Sequence, residues 1–74
     1  PASSILPTMT PTAPDARELT RRGRAYARRH EFDRAVEMFT GALDLAPADV
    51  GTLYSRGNAY ISLTRYADAI ADFT

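Results

Sequence analysis

The chain of 74 residues has no cysteine, no lysine and no tryptophan, and its single histidine is His30. Without cysteine there is no disulfide and no thiol chemistry, and one histidine cannot supply the several ligands of a zinc site. A chain of this length buries only roughly 60% of its unfolded surface. We therefore expect at most one small domain, held together by packing alone, with no metal and no cofactor.

Because lysine is absent, all nine basic residues are arginine. One explanation is the codon bias of a GC-rich genome, and the other is selection for bidentate contacts with carboxylates or phosphates. The charge is also uneven. Residues 15–30 hold six arginines and two acids, a balance of +4, whereas residues 31–74 hold three arginines and seven acids, a balance of −4. This pattern predicts a basic first helix.

Long apolar runs are absent too. No stretch approaches the roughly 18 apolar residues of a membrane-spanning helix, and the opening residues lack the basic and apolar regions of a secretory signal. We expect no membrane segment and a cytoplasmic protein. Residues 1–14 hold four of the five prolines and no charged residue, which predicts a flexible Pro/Thr-rich segment with Ile5, Leu6 and Met9 as a weak docking patch.

What the chain does have is an internal repeat with a period of 34 residues. Residues 16–40 laid over residues 50–74 without a gap are identical at 8 of 25 positions. A fixed period of this size is typical of a fold that stacks one small unit, each unit burying its apolar face against the next. Six of the eight identical pairs fall on small or large apolar positions: Leu19/Leu53, Gly23/Gly57, Ala25/Ala59, Tyr26/Tyr60, Ala35/Ala69 and Phe39/Phe73.

Apolar spacing and helix-end signals predict four helices. Pro14 and Asp15 suit a first helical turn, and Asp49 suits the N-cap of the third helix. The expected helices run from about 15 to 29, from 32 or 33 to the residue before Pro47, from 50 to about 63, and from 66 to the end, where the fourth helix is cut off after Thr74. This predicts an all-α domain over residues 15–74 that consists of units 16–49 and 50–74.

Two glycines in the middle of helices indicate close packing. Glycine inside a helix costs about 0.5 to 1 kcal/mol relative to alanine, so its presence at Gly23 and Gly57 favours close helix approach. We expect Ala35 and Ala69 to be the partner positions, with Tyr26/Tyr60 and Phe39/Phe73 filling the space alongside.

This arrangement resembles the tetratricopeptide repeat, a 34-residue helix-turn-helix unit, over one full copy and about three quarters of a second. The resemblance implies helix pairs stacked as a short right-handed α-solenoid. It also implies that the first helix of each pair lines a concave groove, in which the chain binds a peptide or an extended segment of a protein partner. The groove positions carried over from the family are Arg17, Thr20, Arg21, Arg24, Arg28, Tyr54, Ser55, Asn58, Ile61 and Ser62.

The sequence departs from the family in two places. A subgroup that clamps the carboxylates of heat-shock chaperones needs lysine and asparagine where this chain has Thr20, Arg24 and Ser55, so chaperone binding is not supported. The family often has glycine between its two helices, whereas this chain has His30 and Thr64. Because a left-handed conformation is unfavourable for β-branched threonine, we expect the second turn to differ in shape from the first.

The arginine stripe and Asn58 each allow two interpretations. Arg17, Arg21, Arg24 and Arg28 are spaced to form one stripe suited to an acidic peptide, or else a solvated face partly neutralised by Glu18, Glu31 and acids of neighbouring chains. Asn58 could bind a peptide backbone or simply be exposed. We do not expect nucleic acid as a partner, because most of the seven aromatic side chains occupy packing positions.

No enzyme activity is predicted. His30 lies near Glu31 and Asp33 but has no partnered nucleophile, and a chain this small encloses little volume. A second function of another class remains open. Repeat arrays generally need three units and a polar cap, so the second unit should expose the side chains of Tyr60, Ile61, Ile70 and Phe73. Either this is part of a longer protein, or copies of the chain form a homo-oligomer.

Overall fold

The computed structural model describes residues 14–74, so the predicted Pro/Thr-rich segment, apart from Pro14, lies outside the described residues together with Ile5, Leu6 and Met9. Within residues 14–74 the chain forms four helices and no strand, which confirms the predicted all-α class. The helices are α1 (Ala16–Arg28), α2 (Phe32–Leu45), α3 (Val50–Ser62) and α4 (Tyr66–Phe73). These bounds lie close to the predicted ones.

Carboxylates cap the first helix of each pair. The Asp15 side chain accepts a hydrogen bond from the backbone N–H of Glu18, and the Asp49 side chain accepts one from the N–H of Thr52. Both residues are N-caps, so Asp15 precedes the first turn instead of belonging to it. Helix α2 ends at Leu45, and Ala46 leaves the helical conformation with φ −140°, as expected before a proline.

The two turns inside the pairs have the same shape, and our expectation of a different second turn is wrong. His30 and Thr64 both adopt a left-handed conformation, with φ 63° and 59°. The N–H of Glu31 donates to the carbonyl of Tyr26, and the N–H of Arg65 donates in the same way to Tyr60. Packing of the paired helices fixes the turn, even though threonine disfavours this conformation.

The helices pack in series. Helix α2 lies between α1 and α3, α4 packs on α3 alone among the described helices, and α1 meets α3 along a short edge. The main core lies where α3 covers the first pair. It contains Ala35, Val36, Phe39 and Ala59, with Tyr26, Phe32, Tyr60 and Leu63 packed against it.

The two helical glycines make room for aromatic rings, not for the alanines that we expected as their partners. A Cβ atom at Gly23 would lie 2.5 Å from the Phe39 ring, and one at Gly57 would lie 2.5 Å from the Phe73 ring. Real Cβ atoms do not approach that closely, so each ring packs onto bare helix backbone. Ala35 and Ala69 are almost completely buried, but they do not contact the glycines most closely.

The partly buried guanidinium group of Arg56 ties the last three helices together. Arg56 Nε and Nη2 donate to the two carboxylate oxygens of Asp72 at 2.7 and 2.6 Å, and Arg56 Nη1 donates to Thr40 Oγ1 at 3.2 Å. The Asp72 hydrogen bonds raise the pKa of Arg56. This bidentate pair is shielded from water, so it holds α4 onto α3 and α3 onto α2.

One side of the second pair is uncovered within the described residues. Tyr54, Ile61, Ile70 and Phe73 all expose more than two fifths of their surface. We expected Tyr60 to be uncovered too, but it packs against the core, with the Arg65 guanidinium 4.8 Å from its ring centroid. The other three residues that we expected to be uncovered, Ile61, Ile70 and Phe73, are exposed.

Candidate functional site

The four arginines of the predicted stripe do lie on one side of α1. They border an open depression of about 620 Å³, together with Thr20 and with the N-cap of α3. The spacing of three and four residues places these side chains on one helix face. The continuous basic surface predicted on α1 is therefore present, and it consists of Arg17, Arg21, Arg24 and Arg28.

Next to this depression, α1 and α3 form a groove of about 360 Å³. Its floor is apolar and its rim is polar. The floor consists of Ala27, Phe32, Phe39 and Ala59, and the rim consists of Arg24, Arg28, Ser55, Asn58 and Ser62. Arg24 and Arg28 line both depressions, so they connect the basic surface of α1 to the apolar floor.

The acids near the stripe neutralise only part of it. Arg21 and Arg22 both donate to the Glu18 carboxylate, at distances from 2.6 to 3.1 Å. These hydrogen bonds lower the pKa of Glu18. Glu31 pairs with Arg29 and Arg34 and not with the stripe.

Three arginines of the stripe have a different environment. Within residues 14–74, no carboxylate lies at ion-pair distance from Arg17, Arg24 or Arg28. All three are exposed. They are therefore the cations of the groove and its approach that form no ion pair in the described part of the chain. Arg24 still has an acidic neighbour, because its charge adds to the Thr52 hydrogen bonds in lowering the pKa of Asp49.

Thr20 has a structural contact of its own. Its hydroxyl lies 2.9 Å from the hydroxyl of buried Thr52, and Thr52 in turn donates to Asp49 Oδ2 at 2.8 Å. Since the Thr52 proton goes to the carboxylate, Thr20 is the donor in the first bond. The hydrogen bonds that the Thr52 side chain and backbone donate to Asp49 lower the pKa of Asp49. The series of bonds from Thr20 through Thr52 to Asp49 fixes α1 against the start of α3.

Two predicted groove residues lie elsewhere. Tyr54 lines neither of these depressions; its ring centroid is 5.7 Å from that of Phe73, and both rings border a smaller hollow at the α3 and α4 end of the described chain. Ile61 does not line the groove either. Asn58, in contrast, lies on the rim near Arg24 and Arg28, as predicted.

The sequence analysis did not anticipate the apolar floor of the groove. Phe39 was expected only to fill space in the core, and Phe32 was not singled out. Both line the groove, but Phe39 is 1% exposed, so Phe32 and Ala27 supply the accessible apolar surface. Ala27 could have been found from its position three residues after Arg24, because residues with this spacing share a helix face. The contribution of α2 to the floor depends on tertiary packing.

Residues 14–74 contain no cluster of three or more His, Asp or Glu side chains that could hold a metal ion. His30 lies in the first turn, with its ring 5.5 Å from that of Phe32. None of the four helices is both long and apolar enough to cross a bilayer.

No family model matches the chain, and no solved structure matches it at a significant level.

Proposed function

We propose that this chain is a tetratricopeptide-like interaction module that binds an acidic peptide segment of a partner protein in the groove between α1 and α3. The observation that carries the proposal is the position of Arg24 and Arg28. Neither forms an ion pair within residues 14–74, and both stand at the rim of an apolar floor.

Each part of the groove has a role in this proposal. The planar guanidinium groups of Arg24 and Arg28 bind carboxylates through two parallel hydrogen bonds each. Asn58 offers both a donor and an acceptor to the peptide backbone. An apolar side chain of the peptide packs on Phe32 and Ala27, the partly exposed residues of the floor. Arg17 and Arg21 extend the positive field and speed the approach of an acidic ligand.

The module acts by binding and not by catalysis. The groove holds no histidine, cysteine or carboxylate within the described residues, so its side chains offer no general base and no thiol nucleophile. The serine Ser55 donates its hydroxyl to the carbonyl of Gly51 and has no base beside it.

The test is a binding titration with a fluorescent peptide that alternates Glu and Leu, compared with the same peptide in which Gln replaces Glu. We expect only the acidic peptide to bind, with affinity that falls as salt rises. Arg24→Glu should weaken binding at least about tenfold, because loss of one charge-assisted contact costs about 1.5 to 3 kcal/mol.

Arg34→Glu is the matched control. It makes the same change of charge at an exposed α2 residue, whose ion-pair partner Glu31 lies outside the groove. We expect it to reduce affinity far less than Arg24→Glu. Equal effects of the two variants would mean that the peptide responds only to net charge, and the groove assignment would be wrong.

A second candidate function is self-association, and the uncovered side of the second pair favours it. Apolar side chains that cluster on a surface are typical of interaction sites. Here Ile61 of α3 is exposed, and so are Ile70 and Phe73 of α4, whose spacing of three residues places them on one helix face. A second copy of the chain would remove them from water.

A further inference from the structure

The interface between α3 and the first pair serves as a template for a second interface. At its centre, Ala59 is buried among Val36 and Phe39. At its edge, Arg56 Nη1 donates to the hydroxyl of Thr40 at 3.2 Å. Thus α3 contributes an alanine and an arginine, and the first pair contributes an apolar surface and a threonine.

The 34-residue repeat places counterparts of these interface residues on two further surfaces. The α1 outer face (Arg22, Ala25 and Tyr26) carries the same residue types as the α3 residues Arg56, Ala59 and Tyr60. The end face (Ile70, Phe73 and Thr74, with Tyr54 and Ile61) corresponds to the surface that α3 covers. In the surface that α3 covers, the residues at the corresponding positions are Val36, Phe39 and Thr40, with Thr20 and Ala27.

No helix of residues 14–74 covers either surface, although Tyr26 also packs against the core of its own copy. Ala59 is 3% exposed under its cover, whereas its counterpart Ala25 is exposed. Val36 is 9% exposed, whereas its counterpart Ile70 is 62% exposed. The described chain therefore presents both halves of an interface whose first copy is already formed inside it.

We propose that copies of the chain associate head to tail, with the α1 outer face of one copy packed on the end face of the next as α3 packs on the first pair. This inference rests on the self-association proposed above and specifies its geometry. In it, Ala25 of one copy packs against Ile70 and Phe73 of the next, and Arg22 donates to Thr74.

The repeat register favours this arrangement over a symmetric one. A head-to-tail contact joins each surface to the counterpart of the one it meets in the contact between α3 and the first pair. A symmetric pairing of two end faces would leave both α1 outer faces uncovered and would reproduce no contact of the described chain. Charge does not decide between the two, because the α4 aspartates are already paired, Asp72 with Arg56 and Asp68 with Arg65.

The polar edge is complementary as well. Under the same correspondence, Glu18 takes the place of Thr52 and comes opposite Tyr54, which takes the place of Thr20. The Tyr54 hydroxyl can donate to the Glu18 carboxylate. A pair formed in this way still has one α1 outer face and one end face without a partner, so further copies can add at both ends. The association is therefore open, and the mean mass grows with concentration.

Two variants that each block one surface test the geometry. Ala25→Arg blocks the α1 outer face, and Ile70→Arg blocks the end face; both positions are exposed, so the fold should survive, which circular dichroism checks. In sedimentation equilibrium we expect the unchanged chain to exceed its monomer mass of 8.1 kDa and each variant alone to remain at it.

The decisive sample is the equimolar mixture of the two variants. Each variant keeps one intact surface, so the mixture should form a pair of twice the monomer mass and nothing larger. The blocked ends both carry arginine and repel each other. The matched control is Ala71→Arg, whose counterpart Glu37 stays exposed beside the covered surface, and it should associate like the unchanged chain.

The outcomes separate the two proposals. If the unchanged chain stays at monomer mass up to millimolar concentration, self-association itself is wrong, and the end face serves some other partner or segment. If the unchanged chain associates and Ala25→Arg still does so, the copies pair through their end faces and the head-to-tail geometry is wrong. Failure of the mixture to pair would also contradict it.

Discussion

Units 16–49 and 50–74 have the same internal construction but different surroundings. Each begins with a carboxylate N-cap, packs a phenylalanine ring on a helical glycine and turns through a left-handed residue. Yet Phe39 is 1% exposed and Phe73 is 45% exposed. The difference comes from α3, which covers the first unit, whereas no described helix covers the second. A unit of this kind forms its own geometry, but its burial depends on a neighbour.

The sharpest test of this comparison removes the two phenylalanines in turn. Phe39→Ala should cost about 3 to 5 kcal/mol, which is comparable to the whole free energy of unfolding of so small a domain. Phe73→Ala should cost less than about 2 kcal/mol, because nearly half of its ring is already in water. Urea unfolding followed by circular dichroism, at low protein concentration, measures both.

Equal losses in these two variants would contradict the comparison. They would mean that the second unit is covered in solution even at low concentration.

The two glycines give a smaller and more specific contrast. Gly23→Ala should destabilise by about 1 to 3 kcal/mol, because its new methyl group meets the buried and immobile Phe39 ring. The new methyl group of Gly57→Ala meets the Phe73 ring, which can move outward into solvent. The gain in helix propensity of about 1 kcal/mol then offsets the clash.

The measurement is the urea midpoint of each alanine variant. A Gly57→Ala loss as large as that of Gly23→Ala would show that Phe73 is held as firmly as Phe39.

Substitutions in the two turns should change the free energy of unfolding least, and they should raise it instead of lowering it. Thr64→Gly should stabilise by about 1 kcal/mol, because glycine adopts φ 59° without the steric cost that threonine carries. His30→Gly should gain only a few tenths, since histidine tolerates this conformation better. For a domain of this size, the first change should raise the midpoint of thermal unfolding by about 4 to 8 °C.

A fall in melting temperature on Thr64→Gly would identify a role for the threonine side chain that outweighs its strain. The hydroxyl donates to the carbonyl of Leu63, which is the only side-chain hydrogen bond found for it.

Part of the candidate site was predictable from the resemblance to the tetratricopeptide repeat. Arg24, Arg28 and Asn58 were carried over from the family as groove positions, and they line one groove. Thr20 and Tyr54 were carried over in the same way, but their contacts depend on which side chains face them. Thr20 meets Thr52, and Tyr54 meets Phe73, so neither contact follows from spacing on a single helix.

The sequence by itself determined the four helices, their caps and the period that relates them. These depend on interactions within a few residues, such as apolar spacing, an aspartate before a helix or a proline after one. Only the tertiary structure decided the conformation of Thr64, the partners of the two glycines and the unequal burial of the two units. Those features depend on which surfaces meet, and packing energy between helices overrides local preference wherever the two disagree.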